Sequence, residues 1–278
     1  NTFWMPNFDR EFFQKLVFST EGITERVRTD LVDPEDGRPG IDIRGQTMQN
    51  YFAEVSGGRI TFDGGTEGVV AWVKVPHSVG YYAANSCRNG RVTGSGMPIN
   101  PRFPRGMVAL FEDLVAAINA SDPDFPWSEY DTDGDREIDH VVLVHAGIDE
   151  SEGGGVHGQQ QIWAHRSSVN AGYGGVTADD RGTPENRSDD ILFRGYTVQP
   201  ENLNLGVLVH EFGHDLGLPD LYTTTGDDDV VWWDLMSTGS HPGRYKGADP
   251  THMSAWSKMA LGWDQPLFFF EKEYTEIY

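Results

Sequence analysis

His210-Glu211-Phe212-Gly213-His214 sets two imidazoles four residues apart, with a carboxylate beside the first. On a helix, side chains at i and i+4 lie on one face a turn apart, so both rings can reach a single metal ion. Zinc suits such a nitrogen pair, and a zinc ion with three protein ligands keeps a further position open, as catalytic sites do. Glu211 projects from the same turn, placed to take a proton from a water polarised by the metal and hand it to a leaving amine. The plain alternative is a helix with two partly buried histidines. The residues that follow weigh against it: Asp215-Leu216-Gly217-Leu218-Pro219-Asp220 completes the run HExxHxxGxxD. Gly217 supplies the left-handed turn that ends a helix, Pro219 stiffens the return, and Asp220 arrives where a third ligand is needed. The chemistry this implies is hydrolysis of peptide bonds, with His210, His214 and Asp220 holding zinc and Glu211 as the base.

A cluster of oxygen donors lies upstream. Asp131-Thr132-Asp133-Gly134-Asp135-Arg136-Glu137-Ile138-Asp139 places carboxylates on alternate residues. In an extended turn these can converge on calcium, which takes about six to eight oxygens. The candidate ligands are Asp131, Asp133, Asp135, Glu137 (through its backbone carbonyl) and Asp139, and the role would be to brace the following strand. Arg136 stands where an EF-hand loop has its sharp-turn glycine, and a solvated acidic turn is the plain alternative. Asp33, Glu35, Asp36 and Asp42, and separately Asp227, Asp228 and Asp229, are further acidic groups that could hold a second calcium, with no ligands assigned. For the oxyanion of peptide hydrolysis, Tyr245 is the first candidate donor and His241 the second. His140, His145 and His157 read as packed or surface residues, and His165 as a residue that can line the cleft without being a ligand.

These groups need elements to position them. Residues 204–216 read as the helix that carries the metal motif, seated by Leu205, Val207, Leu208, Val209 and Phe212. Apolar spacing predicts further helices at 45–56, 105–120 and 250–261, the last opened by an Asp-Pro pair. Strands are expected at 68–75, at 137–145 (buried on both faces), at 160–168 and at 191–199. The stretches 85–104 and 170–190 read as loops.

Composition narrows the classes. A formal net charge of −22 argues against a nucleic-acid partner, which would require a basic face. It equally argues against docking on anionic lipid, and no apolar run approaches the roughly 20 residues of a membrane span. Eight tryptophans and a 12% aromatic content favour a folded chain over a disordered one. The single cysteine, Cys87, excludes a disulfide within the chain, leaving metal ions to brace it.

HEFGHDLGLPDLY, WDLMSTGS and WSKMALGW together resemble the immune inhibitor A family of bacterial secreted metalloproteases. DTDGDREIDHVVLVHAG and QIWAHRSS are similar to the same family's catalytic domain, and the likeness runs from about Trp4 to Trp263. Met236, in the WDLMS run, resembles the methionine turn of the metzincin clan, whose long zinc motif is matched except for Asp at the third ligand. The resemblance implies an α+β fold: a zincin or metzincin-like catalytic domain with a twisted mixed sheet, an active-site helix and a smaller C-terminal lobe with a Met-turn. It implies an antiparallel edge strand that pairs with extended substrate, for which 191–199 is the candidate. Secretion, a propeptide inhibitor in the precursor, bound calcium and broad activity on proteins are implied in the same way.

The expectation is therefore a secreted zinc endopeptidase acting on protein or peptide substrates, with Zn2+ as catalytic and Ca2+ as structural cofactor. Residues 1–264 form its catalytic domain, divided into an upper lobe of about 1–217 and a lower lobe of about 218–264, with 265–278 starting a further segment. Two alternatives are a protease restricted to one host or glycosylated protein, and a binding protein that keeps the zinc fold without catalysis. The intact motif and Glu211 argue against the second. Specificity lies in pocket residues that no motif marks.

Overall fold

The computed structural model describes residues 5, 7–64, 68–83, 86–88, 91–93, 106–169, 174–179, 181–223 and 230–265. In chain order the elements are α1 (Arg10–Phe18), β1 (Val27–Val32), β2 (Pro39–Ile41), α2 (Met48–Val55), α3 (Val79–Ala83), β3 (Ser86–Arg88), β4 (Arg91–Thr93), α4 (Gly106–Ser121), β5 (Val142–His145), β6 (His165–Ser168), β7 (Val176–Asp179), β8 (Ile191–Phe193), β9 (Gly195–Pro200), α5 (Leu205–Asp215) and α6 (Ala255–Ala260). The fold is α+β, and its central sheet is mixed: β9 pairs in parallel with β5 on one side and antiparallel with β6 on the other.

Alternation along these strands separates two apolar clusters. Leu143, Tyr196 and Val198 join α4, β7 and β8 in one cluster, where Phe111 lies 4.9 Å from the Tyr196 ring. Val144 packs on the other cluster, which gathers α1, α2, α5 and residues from Leu218 to Met253. The expected division near residue 217 thus runs through one shared apolar cluster, to which Phe52, Leu208, Leu235 and Met236 all contribute. Among the described residues no helix is long and apolar enough to cross a membrane.

The sheet corrects the expected edge strand. Residues 191–199 divide at Arg194, and the second part, β9, is the middle strand. Five consecutive residues of β9, Tyr196 to Pro200, are buried, as suits a strand covered on both faces. The antiparallel edge is β6, and among the described residues nothing pairs with its outer side. The strand expected at 160–168 forms only over β6, and that expected at 137–145 only over β5, where Val142 remains 37% exposed rather than buried.

Other expectations shift as well. Residues 68–75 form no strand; Val69 and Trp72 pack on one cluster and Val73 and Val75 on the other, and the Trp72 indole donates to the Phe8 carbonyl at 2.8 Å. The segment uses its apolar side chains to span two cores and pairs with no ladder. Within 85–104, β3 pairs antiparallel with β4, with Arg88 opposite Arg91. Within 170–190, β7 pairs antiparallel with β8. The last helix starts at Ala255, because Ser254, and not the Asp-Pro pair, caps it by accepting from the Ser257 N–H. α1 was not expected, although Asp9 caps it by accepting from Phe12 N at 2.9 Å and Phe12, Phe13 and Leu16 fill the core.

Candidate metal centre

α5 begins where the Asn204 side chain accepts from the Val207 N–H at 3.0 Å, satisfying one of the free donors of the first turn. Its apolar face is pinned by Phe212, whose ring meets Phe52 at 5.2 Å and Phe62 at 5.1 Å. Two glycines allow the 234–240 segment to lie directly against the helix. A Cβ on Gly206 would fall 1.8 Å from the Ser240 carbonyl oxygen, and one on Gly213 would fall 2.5 Å from the Met236 sulfur. Met236, fully buried, therefore sits against the turn between the two histidines. The helix ends at Gly217, with φ +97°, and the Gly217 and Leu218 N–H groups bond back to His214 and Gly213 carbonyls at 2.9 and 3.0 Å. This reversal brings Asp220 under the helix.

The hydrogen bonds behind the imidazoles fix what their front atoms offer. His210 Nδ1 lies 2.9 Å from the Leu235 carbonyl and His214 Nδ1 2.8 Å from the Leu218 carbonyl. A carbonyl only accepts, so each Nδ1 carries a proton and each neutral ring presents a lone pair on Nε2. Those Nε2 atoms lie 3.3 and 3.1 Å from the same Asp220 oxygen, and one ligand atom from each of the three residues falls within 4.8 Å of the others. Two lone pairs and a carboxylate converging on one point fit a cation of the type that takes nitrogen and oxygen ligands. The acid–base balance agrees. Burial pushes the Asp220 carboxyl up; when a proton takes the place of a cation on Nε2, hydrogen bonds from the two imidazoles hold that carboxyl well below the usual carboxylate range. Burial pushes His214 down, yet Asp220, the Leu218 carbonyl and Glu211 draw it above its ordinary value, so the cluster attracts positive charge.

Glu211 is 9% exposed. Burial raises its carboxyl pKa, against the pull of His210, His214 and the Arg166 backbone N–H. A carboxyl moved upward in this way is better matched to proton transfer near neutral pH. Tyr222, which the sequence reading did not single out, lies with its ring nearly parallel to His210, at 6.3 Å and 20°. Burial, then Asp220, push its phenol up to about 12, and its hydroxyl bonds to Asp220. Its place two residues beyond the third ligand is the one trace of this in the sequence.

The other candidates divide. Tyr245 interacts with Glu152, Asn202 and Arg28, and none of these belongs to the cluster. His241 is lowered by burial and then by Lys246 and His210, so it stands within electrostatic reach of the first histidine. His165 turns into the core, 3.2 Å from the Tyr196 hydroxyl, and does not line a cleft.

In the acidic loop, Asp131, Asp133 and Asp135 come together within the same 4.8 Å limit. The Glu137 side chain pairs with Arg194 at 2.6 Å, which does not involve the backbone carbonyl expected of it, and Asp139 accepts from the Thr132 N–H at 3.1 Å. The three convergent aspartates also accept from the loop's own N–H groups: Asp131 from Gly134 and Arg136, Asp133 from Asp135, and Asp135 from Glu137. Arg136 adopts φ +71°, the conformation a glycine would take there more easily. The acidic group near residue 33 already holds cations of its own: Arg26 reaches Asp33 and Asp42 at 3.3 and 3.1 Å, and Arg244 reaches Asp36 and Asp42 at 3.2 and 3.3 Å. Asp227, Asp228 and Asp229 lie outside the described residues.

A family model described as immune inhibitor A peptidase M6, catalytic domain, matches residues 1–265. Immune inhibitor A from Bacillus thuringiensis subsp. alesti is 31% identical over 267 residues, covering 92% of this chain and 35% of that protein. Pre-pro-metalloprotease PrtV from Vibrio cholerae serotype O1 (strain M66-2) is 31% identical over 267 residues, covering 91% of this chain and 26% of that protein. The chain thus spans between about a quarter and a third of the length of the curated relatives it matches. With its metal-type cluster on a helix and this match over nearly its whole length, the chain belongs to the immune inhibitor A peptidase M6 family, across that family's catalytic domain.

Proposed function

We propose that this chain is a zinc-dependent endopeptidase. His210, His214 and Asp220 hold the metal and Glu211 acts as general base and acid. The observation that carries the reading is the convergence of two Nε2 lone pairs and one Asp220 oxygen, with both Nδ1 atoms committed to carbonyls behind. Zinc held there supplies Lewis acidity, polarising a substrate carbonyl and lowering the pKa of water toward neutrality. Glu211 takes the proton released by the attacking water and returns it to the nitrogen of the leaving amine, a transfer supported by its burial-raised pKa. Tyr222, whose phenol stays protonated up to about 12, is the donor best placed to meet charge developing on the carbonyl oxygen, ahead of Tyr245 and His241. Extended substrate pairs with the outer side of β6.

Met236 serves as the Met-turn of a zincin-like site, supported by its burial against Gly213. Asp131, Asp133 and Asp135 form a structural calcium site that braces the approach to β5. The chain acts outside the cell on proteins or peptides, in keeping with a relative named as a pre-pro-metalloprotease.

The test is hydrolysis of an unfolded protein by the purified chain, with and without a zinc chelator, then with zinc restored. Cleavage lost on chelation and recovered with zinc is the expected result. A zinc-loaded chain that cleaves neither an unfolded protein nor a broad peptide library would overturn it.

A further inference from the structure

Glu211 and Asp215 stand four residues apart on α5, so their side chains leave the same face of the helix. Both meet one residue of β6. The Asp215 Oδ1 accepts from Arg166 Nε at 3.1 Å, while the Arg166 backbone N–H faces the Glu211 carboxyl. Arg166 in turn is paired across the ladder with Thr197 of β9. The second Asp215 oxygen is taken by His140 Nδ1 at 2.5 Å, and the His140 ring lies 5.0 Å from that of Phe212, the side chain that seats the helix. The Asp215 side chain is 10% exposed, while Arg166 and His140 are 35% and 50% exposed.

We propose that Asp215, Arg166 and His140 are positioning residues that lock the β6 edge strand to the catalytic helix, setting the distance between substrate bound along β6 and Glu211. The Arg166 side chain ties β6 to α5 at Asp215, one turn beyond Glu211, and His140 on the other Asp215 oxygen fixes the carboxylate that holds it. A strand tied there keeps its distance from the helix. Because substrate paired along β6 is carried by that strand, displacement of β6 moves the scissile bond relative to the base without removing the surface that binds it. Turnover therefore depends on the lock more than substrate binding does.

This inference rests on the peptidase reading, and its test separates the two. Zinc content, melting temperature, kcat and KM on a peptide substrate are measured for the unaltered chain and for Asp215→Asn, Arg166→Ala, Arg166→Lys and His140→Gln. Misplacement of reacting groups by about 1 Å costs on the order of a hundredfold in rate. Asp215→Asn and Arg166→Ala are therefore expected to lower kcat by about 10- to 100-fold, with zinc content kept and KM changed far less. Arg166→Lys, which keeps the charge, recovers part of the loss, and His140→Gln has a smaller effect of the same kind. Should Asp215→Asn fail to fold, the Arg166→Lys and His140→Gln variants carry the test. Variants that melt earlier but keep full kcat, or that lose KM and kcat in equal measure, overturn the positioning role. An unaltered chain that is inactive with zinc bound overturns the peptidase reading and this inference with it.

Discussion

The His210–His214–Asp220 cluster and the Asp131–Asp133–Asp135 loop each bring ligand atoms within 4.8 Å, but they leave those atoms in different states. In the first, the hydrogen bonds lie on the far side of the rings, at Nδ1, so that the near atoms keep their lone pairs. In the second, the carboxylates accept from N–H groups of their own loop, so part of their capacity is already used. The first site joins a helix to a return segment and lies partly buried; the second is a single turn whose Asp133 and Asp135 are exposed. Proximity of acidic groups is thus a weaker mark of a metal site than the direction in which their neighbours' protons point. On the proposed reading a cation completes the first cluster, whereas the loop can hold its shape through its own backbone.

Five substitutions sharpen that contrast. The largest effect is expected at Glu211, where Glu211→Gln removes proton transfer and should lower kcat by about 10²- to 10⁴-fold. Its zinc content should match the unaltered chain, while His214→Ala should lose both zinc and activity; elemental analysis beside kinetics tells the two apart, and a Glu211→Gln chain with full turnover ends the base assignment. Next in size, Tyr222→Phe should lower kcat by about a hundredfold, the scale for loss of one oxyanion donor, whereas Tyr245→Phe should change it little. The reverse order would return the role to Tyr245. The smallest effect belongs to the acidic loop. A cation at a hundredfold excess over Kd contributes ~2.7 kcal/mol, which for a chain of this size is a rise of roughly 5–10 °C in melting temperature. Millimolar calcium should produce a shift of up to that size, and Asp133→Asn should abolish it. Equal melting in calcium and in chelator would remove calcium from the site.

The convergence of His210, His214 and Asp220 was legible because its geometry is local. The i, i+4 spacing, the helix-ending glycine and the returning Asp220 all lie within eleven residues of one another, and backbone preferences alone bring them together. What depends on distant pairing was not legible. Alternation at 191–199 marked a strand correctly but could not tell a central strand from an edge, since that is decided by whether β6 finds β9. The apolar run at 68–75 has strand-like composition, but among the described residues it joins no ladder, and its side chains go to two cores instead. β7 was hidden in a polar stretch because only two of its four residues, Val176 and Ala178, are buried. Tyr222 and Arg166 lie inside the runs HEFGHDLGLPDLY and QIWAHRSS, but nothing in those runs marks their roles, and their places emerge only when α5, β6 and the turn after Asp220 are assembled.

The two glycines of α5 determine how much sequence drift the metal centre can absorb. At Gly213, inside the zinc motif, an added methyl group meets the sulfur of Met236, the end of a flexible side chain that can swing aside. At Gly206, outside the motif, the same methyl group meets the Ser240 carbonyl oxygen, a backbone atom with no rotamer to yield. A position that no metal ligand marks is therefore the less replaceable of the two. Natural or laboratory variation should replace Gly213 before it touches the glycine a full turn upstream of His210.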